Sequence, residues 1–123
     1  MIDPVPPITH PALVRALCKD GAGILSEMSY LDAHLLHMAV GISGEAGELL
    51  DAVKKATIYR KEIDLANIVE ELGDLEFYLE GLRQGLNLTR EQTLFHNIAE
   101  LTIRYGKKYS NQSAQDRVDK TNS

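Results

Sequence analysis

Apolar residues recur along most of the chain at steps of three and four, the spacing of one face of a helix. From Ser29 to about Thr57 the stripe is Leu35, Met38, Ile42, Ala46, Leu49, Val53 and Ala56. Ser29 with Asp32 three residues on gives this helix a start of the capping-box kind. Gly41, Gly44 and Gly47 fall inside it. Each costs roughly 1 kcal/mol against Ala in a helix interior, so the pattern predicts either a kink or a neighbour that approaches the backbone closely. A second long helix opens at Asp64 as N-cap. It carries Leu65, Ile68, Leu72, Leu75, Leu79 and Leu82, a coiled-coil-like seam, and ends at Asn87-Leu88. Residues 58–63 connect the two.

Two smaller helices flank this pair. Thr9 caps one that has Pro11 in its first turn and Leu13, Val14 and Leu17 on its apolar side, running to about Lys19. Asp20-Gly21-Ala22-Gly23 reads as a break after it. Thr89 with Gln92 makes a capping box for the other, which runs to about Tyr105 and stops at Gly106. Residues 1–8 hold three prolines and read as extended. No segment alternates as a strand does. The expected fold is all-α: four helices around a central antiparallel hairpin. Residues 1–28 form an N-terminal segment with a short helix, 29–106 the helical core, and 107–123 a polar tail expected to be disordered or an arm.

Composition narrows this only a little. A chain of 123 residues is one domain, and its hydrophobic (44%) and charged (25%) fractions are those of an ordinary globular protein. A net charge of −5 argues against bulk nucleic-acid binding, which needs a basic face. Cys18 is the single cysteine, which excludes a disulfide within the chain and fits a reducing cytosol. The start, Met-Ile-Asp-Pro-Val-Pro-Pro, lacks the basic and apolar parts of a signal peptide, and no apolar run approaches a membrane span. A cytoplasmic setting away from membranes is therefore expected. Two small helices are too few to cover both faces of a long hairpin, so a homodimer or homotetramer is expected to complete the bundle.

The chemistry is concentrated in two acidic words, Glu45-Ala46-Gly47-Glu48 and Glu71-Leu72-Gly73-Asp74. Glu45 lies about 60° and Glu48 about 120° from the centre of their apolar stripe; Glu71 and Asp74 lie about 65° and 125° from theirs, in the same rotational sense. In an antiparallel hairpin, equal offsets of one sense fall on one face, so all four carboxylates converge. Such groups repel one another, and a hard divalent cation with oxygen ligands removes the repulsion. For any one Glu the simpler reading is a solvated helix surface; the paired words are what favour Mg²⁺, with Mn²⁺ as an alternative. His34, His37 and Gly41 share the wheel sector of Glu45 and Glu48. Phe77, Tyr78 and Tyr59 offer rings for stacking, and Lys54, Lys55, Arg60 and Lys61 make a basic patch at the hairpin turn that could meet phosphates. Helix-surface or interface placement is the better explanation for the histidines, core or dimer packing for the rings, and a solvated helix end explains the basic patch equally well.

The run from Gly41 through Lys55, with Glu45 and Glu48, and the run Asn67-Ile-Val-Glu-Glu-Leu-Gly-Asp-Leu, with Glu71 and Asp74, resemble the MazG-like all-α nucleoside triphosphate pyrophosphohydrolases. The likeness continues through Asn97-Ile-Ala-Glu and Arg104-Tyr105 and covers about residues 30–110. It implies a MazG-like bundle in which Glu45, Glu48, Glu71 and Asp74 hold Mg²⁺ on a nucleoside triphosphate. Water activated there attacks the α–β linkage and gives a monophosphate and pyrophosphate; which carboxylate serves as base stays open. It adds Asn97 and Arg104 to His37 and Lys54 as candidate substrate contacts. Where the family often carries Asn-x-x-Lys, this chain has Glu100, so Lys54, Lys55, Arg104, Lys107 or Lys108 would have to meet the phosphates instead. Two other functions fit the same residues: a phosphoribosyl-nucleotide pyrophosphohydrolase, and a non-catalytic helical dimerisation or nucleotide- or cation-binding module.

Overall fold

A computed structural model of the chain describes residues 3–4 and 7–106. The tail from 107, with Lys107 and Lys108, lies outside the described residues. Those described are all-helical, with no strand among them. The order is α1 (His10–Leu17), α2 (Gly21–Glu27), α3 (Tyr30–Thr57), α4 (Leu65–Gly85) and α5 (Arg90–Tyr105). The chain divides into two compact units, residues 1–33 and 34–123.

In the first unit, Thr9 caps α1 by accepting from the Ala12 N–H at 3.3 Å, with Pro11 in the first turn. The Asp20-Gly21-Ala22-Gly23 stretch corrects the sequence reading, because it starts a helix instead of ending one. The Asp20 carboxylate accepts from the N–H groups of Ala22 and Gly23, each at 3.3 Å. One Asp thus satisfies two of the free donors of a helix start, and this offsets the poor helix propensity of the two glycines. The break is narrower than expected, confined to Cys18–Asp20. The start of α3 is the box read from Ser29 and Asp32. The Asp32 carboxylate accepts from the Ser29 N–H at 2.9 Å, and the Ser29 Oγ accepts from the Asp32 N–H at 3.0 Å. These bonds to Ser29 hold the Asp32 carboxyl below its usual range.

In the second unit α3 runs unbroken past Gly41, Gly44 and Gly47. Of the two explanations for a glycine in this helix, close approach applies at Gly41, where an added Cβ would overlap the Tyr78 ring. The Met38 sulfur sits in the same way over Gly81, and His34 and Leu35 lie against Gly85. Residue numbers rise on α3 as they fall on α4 through these contacts, so the two helices are antiparallel. They are in close register, each large side chain seated on a glycine of the facing helix.

The packed line on α3 is Leu35, Met38, Ile42, Glu45, Leu49, Ala52 and Ala56, all buried or half-buried. On α4 it is Ile68, Glu71, Leu75, Tyr78, Leu82 and Gly85. Compared with the expected stripes, both lines are turned toward the acids: Glu45 and Ala52 replace Ala46 and Val53, Glu71 replaces Leu72, and Tyr78 joins Leu79, which stays half-buried. The apolar stripes are wider than a contact between two helices. The other edge, Leu50 and Val53 on α3 with Leu65, Val69 and Leu72 on α4, is left exposed.

The hairpin turn places Arg60 in the left-handed region (φ 59°), with the Lys61 N–H donating to the Lys55 carbonyl at 3.3 Å. Asp64 caps α4 through the Asn67 N–H at 3.0 Å. The capping box of α5 is complete: the Gln92 side chain accepts from the Thr89 N–H at 2.7 Å, and the Thr89 Oγ1 accepts from the Gln92 N–H at 3.1 Å. Gly106 ends α5 at φ 63°.

Candidate metal centre

Turning both packed lines toward the acids brings carboxylates from the two helices together. Glu45 on α3 and Glu71 and Asp74 on α4 each offer an oxygen within 4.8 Å of the others. Glu45 and Glu71 are half-buried and Asp74 is exposed. Glu48 stands one turn along α3, exposed and outside this group of three, though its charge still reaches Glu71.

Glu71 is the focus. Its carboxyl is pushed up to about 7, first by a hydrogen bond to Glu45, then by burial, then by the charges of Glu45, Glu48 and Asp74. Two ionised carboxylates are both acceptors, so a bond between them requires a proton on one. With the pair ionised, the buried Glu71 Oε2 has no donor. An orphaned carboxylate oxygen facing two further carboxylates is satisfied either by a proton or by a cation. The donor set is oxygen alone, with neither imidazole nor thiolate, which suits Mg²⁺, Mn²⁺ or Ca²⁺ over softer metals. The residues present therefore fit a hard divalent ion.

Beside the carboxylates a cleft of about 360 Å³ is lined by Glu45, Asp74, Phe77 and Tyr78. Tyr78 is fixed by its seat on Gly41 and by two edge-on ring contacts, with Phe77 (centroids 5.2 Å apart) and His37 (6.2 Å). His37 thus stands one ring away from the cleft. Phe77 is exposed and forms a wall that the sequence pattern left ambiguous between core and site.

The remaining candidates lie elsewhere. Lys54 sits near the end of α3 with its ammonium 5.7 Å from the centre of the Tyr59 ring. Asn97 lines a separate cleft of about 400 Å³ with Leu88, Gln92, Thr93, His96 and Glu100. Arg104 pairs with Glu100 one turn before it on α5. Glu100 therefore holds this arginine. Asn97 and Arg104 are not among the residues lining the carboxylate cleft. Lys55 pairs with Asp51 at 3.2 Å, a solvated helix contact.

No family model, curated protein or solved structure matches the chain.

Proposed function

We propose that the protein is a Mg²⁺-dependent nucleoside triphosphate pyrophosphohydrolase, converting an NTP or dNTP and water into a monophosphate and pyrophosphate. One observation carries the reading: three carboxylates from the two helices of an antiparallel hairpin converge within 4.8 Å, one of them with a buried, unsatisfied oxygen, at the edge of an open cleft. The resemblance of the two acidic words to the MazG-like family supplies the substrate class. Mg²⁺, when bound, supplies positive charge for the phosphate oxygens and acidity for water.

The chain's own residues would then do the following. Glu45, Glu71 and Asp74 fix the ion's place. Glu48, outside that set but adjacent to it, accepts the proton of the attacking water as the new P–O bond forms and the bridging α–β P–O bond breaks. Tyr78, locked on Gly41, holds the cleft wall. The exposed apolar edge of the hairpin is covered by further copies of the chain, as a homodimer or homotetramer, and the protein works in the cytoplasm without contacting membrane or nucleic acid. No helix among the described residues is long and apolar enough to cross a membrane.

The test is a nucleotide panel incubated with Mg²⁺, with products identified. Monophosphate and pyrophosphate in equal amounts are expected, abolished by Glu71→Ala or Asp74→Ala with helicity retained. Release of orthophosphate, or no Mg²⁺-dependent turnover of any nucleotide, would remove the reading.

A further inference from the structure

Phe77 belongs to two clefts. One is the carboxylate cleft. The other, of about 420 Å³, is lined by His34, Met38, Phe77, Glu80, Gly81 and Gln84. The two therefore meet across one ring on one face of the α3–α4 hairpin. Phe77 lies about 140° around α4 from Leu72, so its 68% exposure is away from the centre of the surface a second copy is proposed to cover. From Asp74 to Gly81 the helix rises about 10 Å, on the order of the reach from a nucleotide's phosphates across its ribose to its base.

The groove has a defined hydrogen-bonding character. His34 Nε2 donates to the Gly81 carbonyl at 2.8 Å. A carbonyl only accepts, so in the neutral ring the proton is on Nε2 and Nδ1 keeps its lone pair. Gln84 donates its amide nitrogen to Glu80 Oε2 at 2.9 Å, which leaves its Oε1 as an acceptor. Glu80 is also held by Arg83, whose Nε donates to its Oε1 at 3.1 Å. His34, whose one donor is used, therefore lines the groove with an acceptor beside the Phe77 ring, while Gln84 offers Oε1 and keeps its second amide N–H.

Resting on the pyrophosphohydrolase reading, we propose that this groove receives the nucleotide's base. The base stacks on Phe77 and is read by the His34 acceptor, which favours bases that present an amino group (cytosine, adenine, guanine) over uracil and thymine; Gln84, with both an acceptor and an unused N–H, serves either kind. Stacking serves any base, while the His34 acceptor selects for an exocyclic amino group.

The experiment compares wild type, Phe77→Ala and His34→Ala, each with Mg²⁺, on CTP, ATP, GTP, UTP and inorganic tripolyphosphate. KM and kcat are measured where there is turnover; competition by tripolyphosphate and oligomeric state are measured throughout. For wild type, kcat/KM for amino-bearing bases is expected to exceed that for UTP by about ten-fold or more. Phe77→Ala raises KM for every nucleotide about ten-fold and leaves inhibition by tripolyphosphate unchanged. His34→Ala narrows the gap between CTP and UTP. Equal kcat/KM for CTP and UTP in wild type, or weakened tripolyphosphate binding or altered oligomeric state in Phe77→Ala, would overturn the base site while the pyrophosphohydrolase reading stands. Absence of turnover on the whole panel would instead defeat that reading, and the base site with it.

Discussion

Glu71 has two ways to satisfy its buried carboxyl, and they compete. Without metal it keeps a proton to about pH 7, against an ordinary value of 4.5, chiefly because of its bond to Glu45. The folded state therefore binds more protons than the unfolded chain between those values, and stability falls as pH rises from about 4.5 through about 7. The metal-free protein should show a melting temperature that declines over this window and then levels off, and Glu71→Gln should flatten the decline. A cation must displace the proton, so Mg²⁺ or Mn²⁺ should raise the melting temperature more at pH 8 than at pH 5.5. An equal rise at both would mean that the ion binds elsewhere. Glu48 lies outside the convergent three, so Glu48→Gln should weaken metal binding only about 10- to 100-fold, whereas Glu45→Gln or Asp74→Asn should abolish it. Calorimetric titration with Mn²⁺ separates these outcomes.

At the scale of the helix pair, the glycines report what touches them. Gly41 lies under the Tyr78 ring, while a Cβ at Gly44 meets nothing. Gly41→Ala should therefore destabilise by about 1–3 kcal/mol through overpacking, although Ala is the better helix former. Gly44→Ala should stabilise by up to about 1 kcal/mol. Denaturant midpoints check both, and stabilisation by Gly41→Ala would mean that the Tyr78 seat is wrong. The same pair shows what the sequence could reveal. Periodicity located α3 and α4, and Thr9, Asp64 and Thr89 marked starts because their side chains bond locally. The shared phase of the acidic words then placed Glu45, Glu48, Glu71 and Asp74 on one face, of which Glu45, Glu71 and Asp74 come together and Glu48 stays outside the group. Gly21 and Gly23 concealed α2 because propensity argues against a helix there, and the cap that overrides it spends one Asp20 side chain on two donors. The packed lines were shifted because an apolar stripe records every partner of a helix. Only the contact with the facing helix decides which edge is shared, and that depends on Tyr78 fitting Gly41. Phe77 gave no signal that distinguishes a wall from core, since an aromatic at helical spacing fits both.

At the scale of the whole molecule, the described residues are short of core. Met38 and Ala52 are the only buried hydrophobic residues among them, while Leu50 and Leu65 are 67% and 66% exposed. Burying an apolar side chain of this size contributes about 1.5–3 kcal/mol, and at Leu50 and Leu65 most of that gain is left unrealised. The apolar edge is continuous across both helices, from Val53 and Leu50 to Leu72, Val69 and Leu65, which is the form a helical face takes when another pair of helices packs on it. A second copy supplies a matching face, because a two-fold interface sets a surface against itself. Folding should then be linked to association, with a melting temperature that rises with protein concentration. Leu50→Glu and Leu72→Glu place a charge in the middle of the shared face, where burial without a partner is costly. Each should shift the wild-type oligomer to smaller species in light scattering, and helicity should be lost on dilution at concentrations where wild type remains folded. Phe77→Ala, about 140° around α4 from Leu72, should do neither. A wild-type protein that is monomeric at micromolar concentration, with a melting temperature independent of concentration, would mean that this edge is covered by something other than the chain itself.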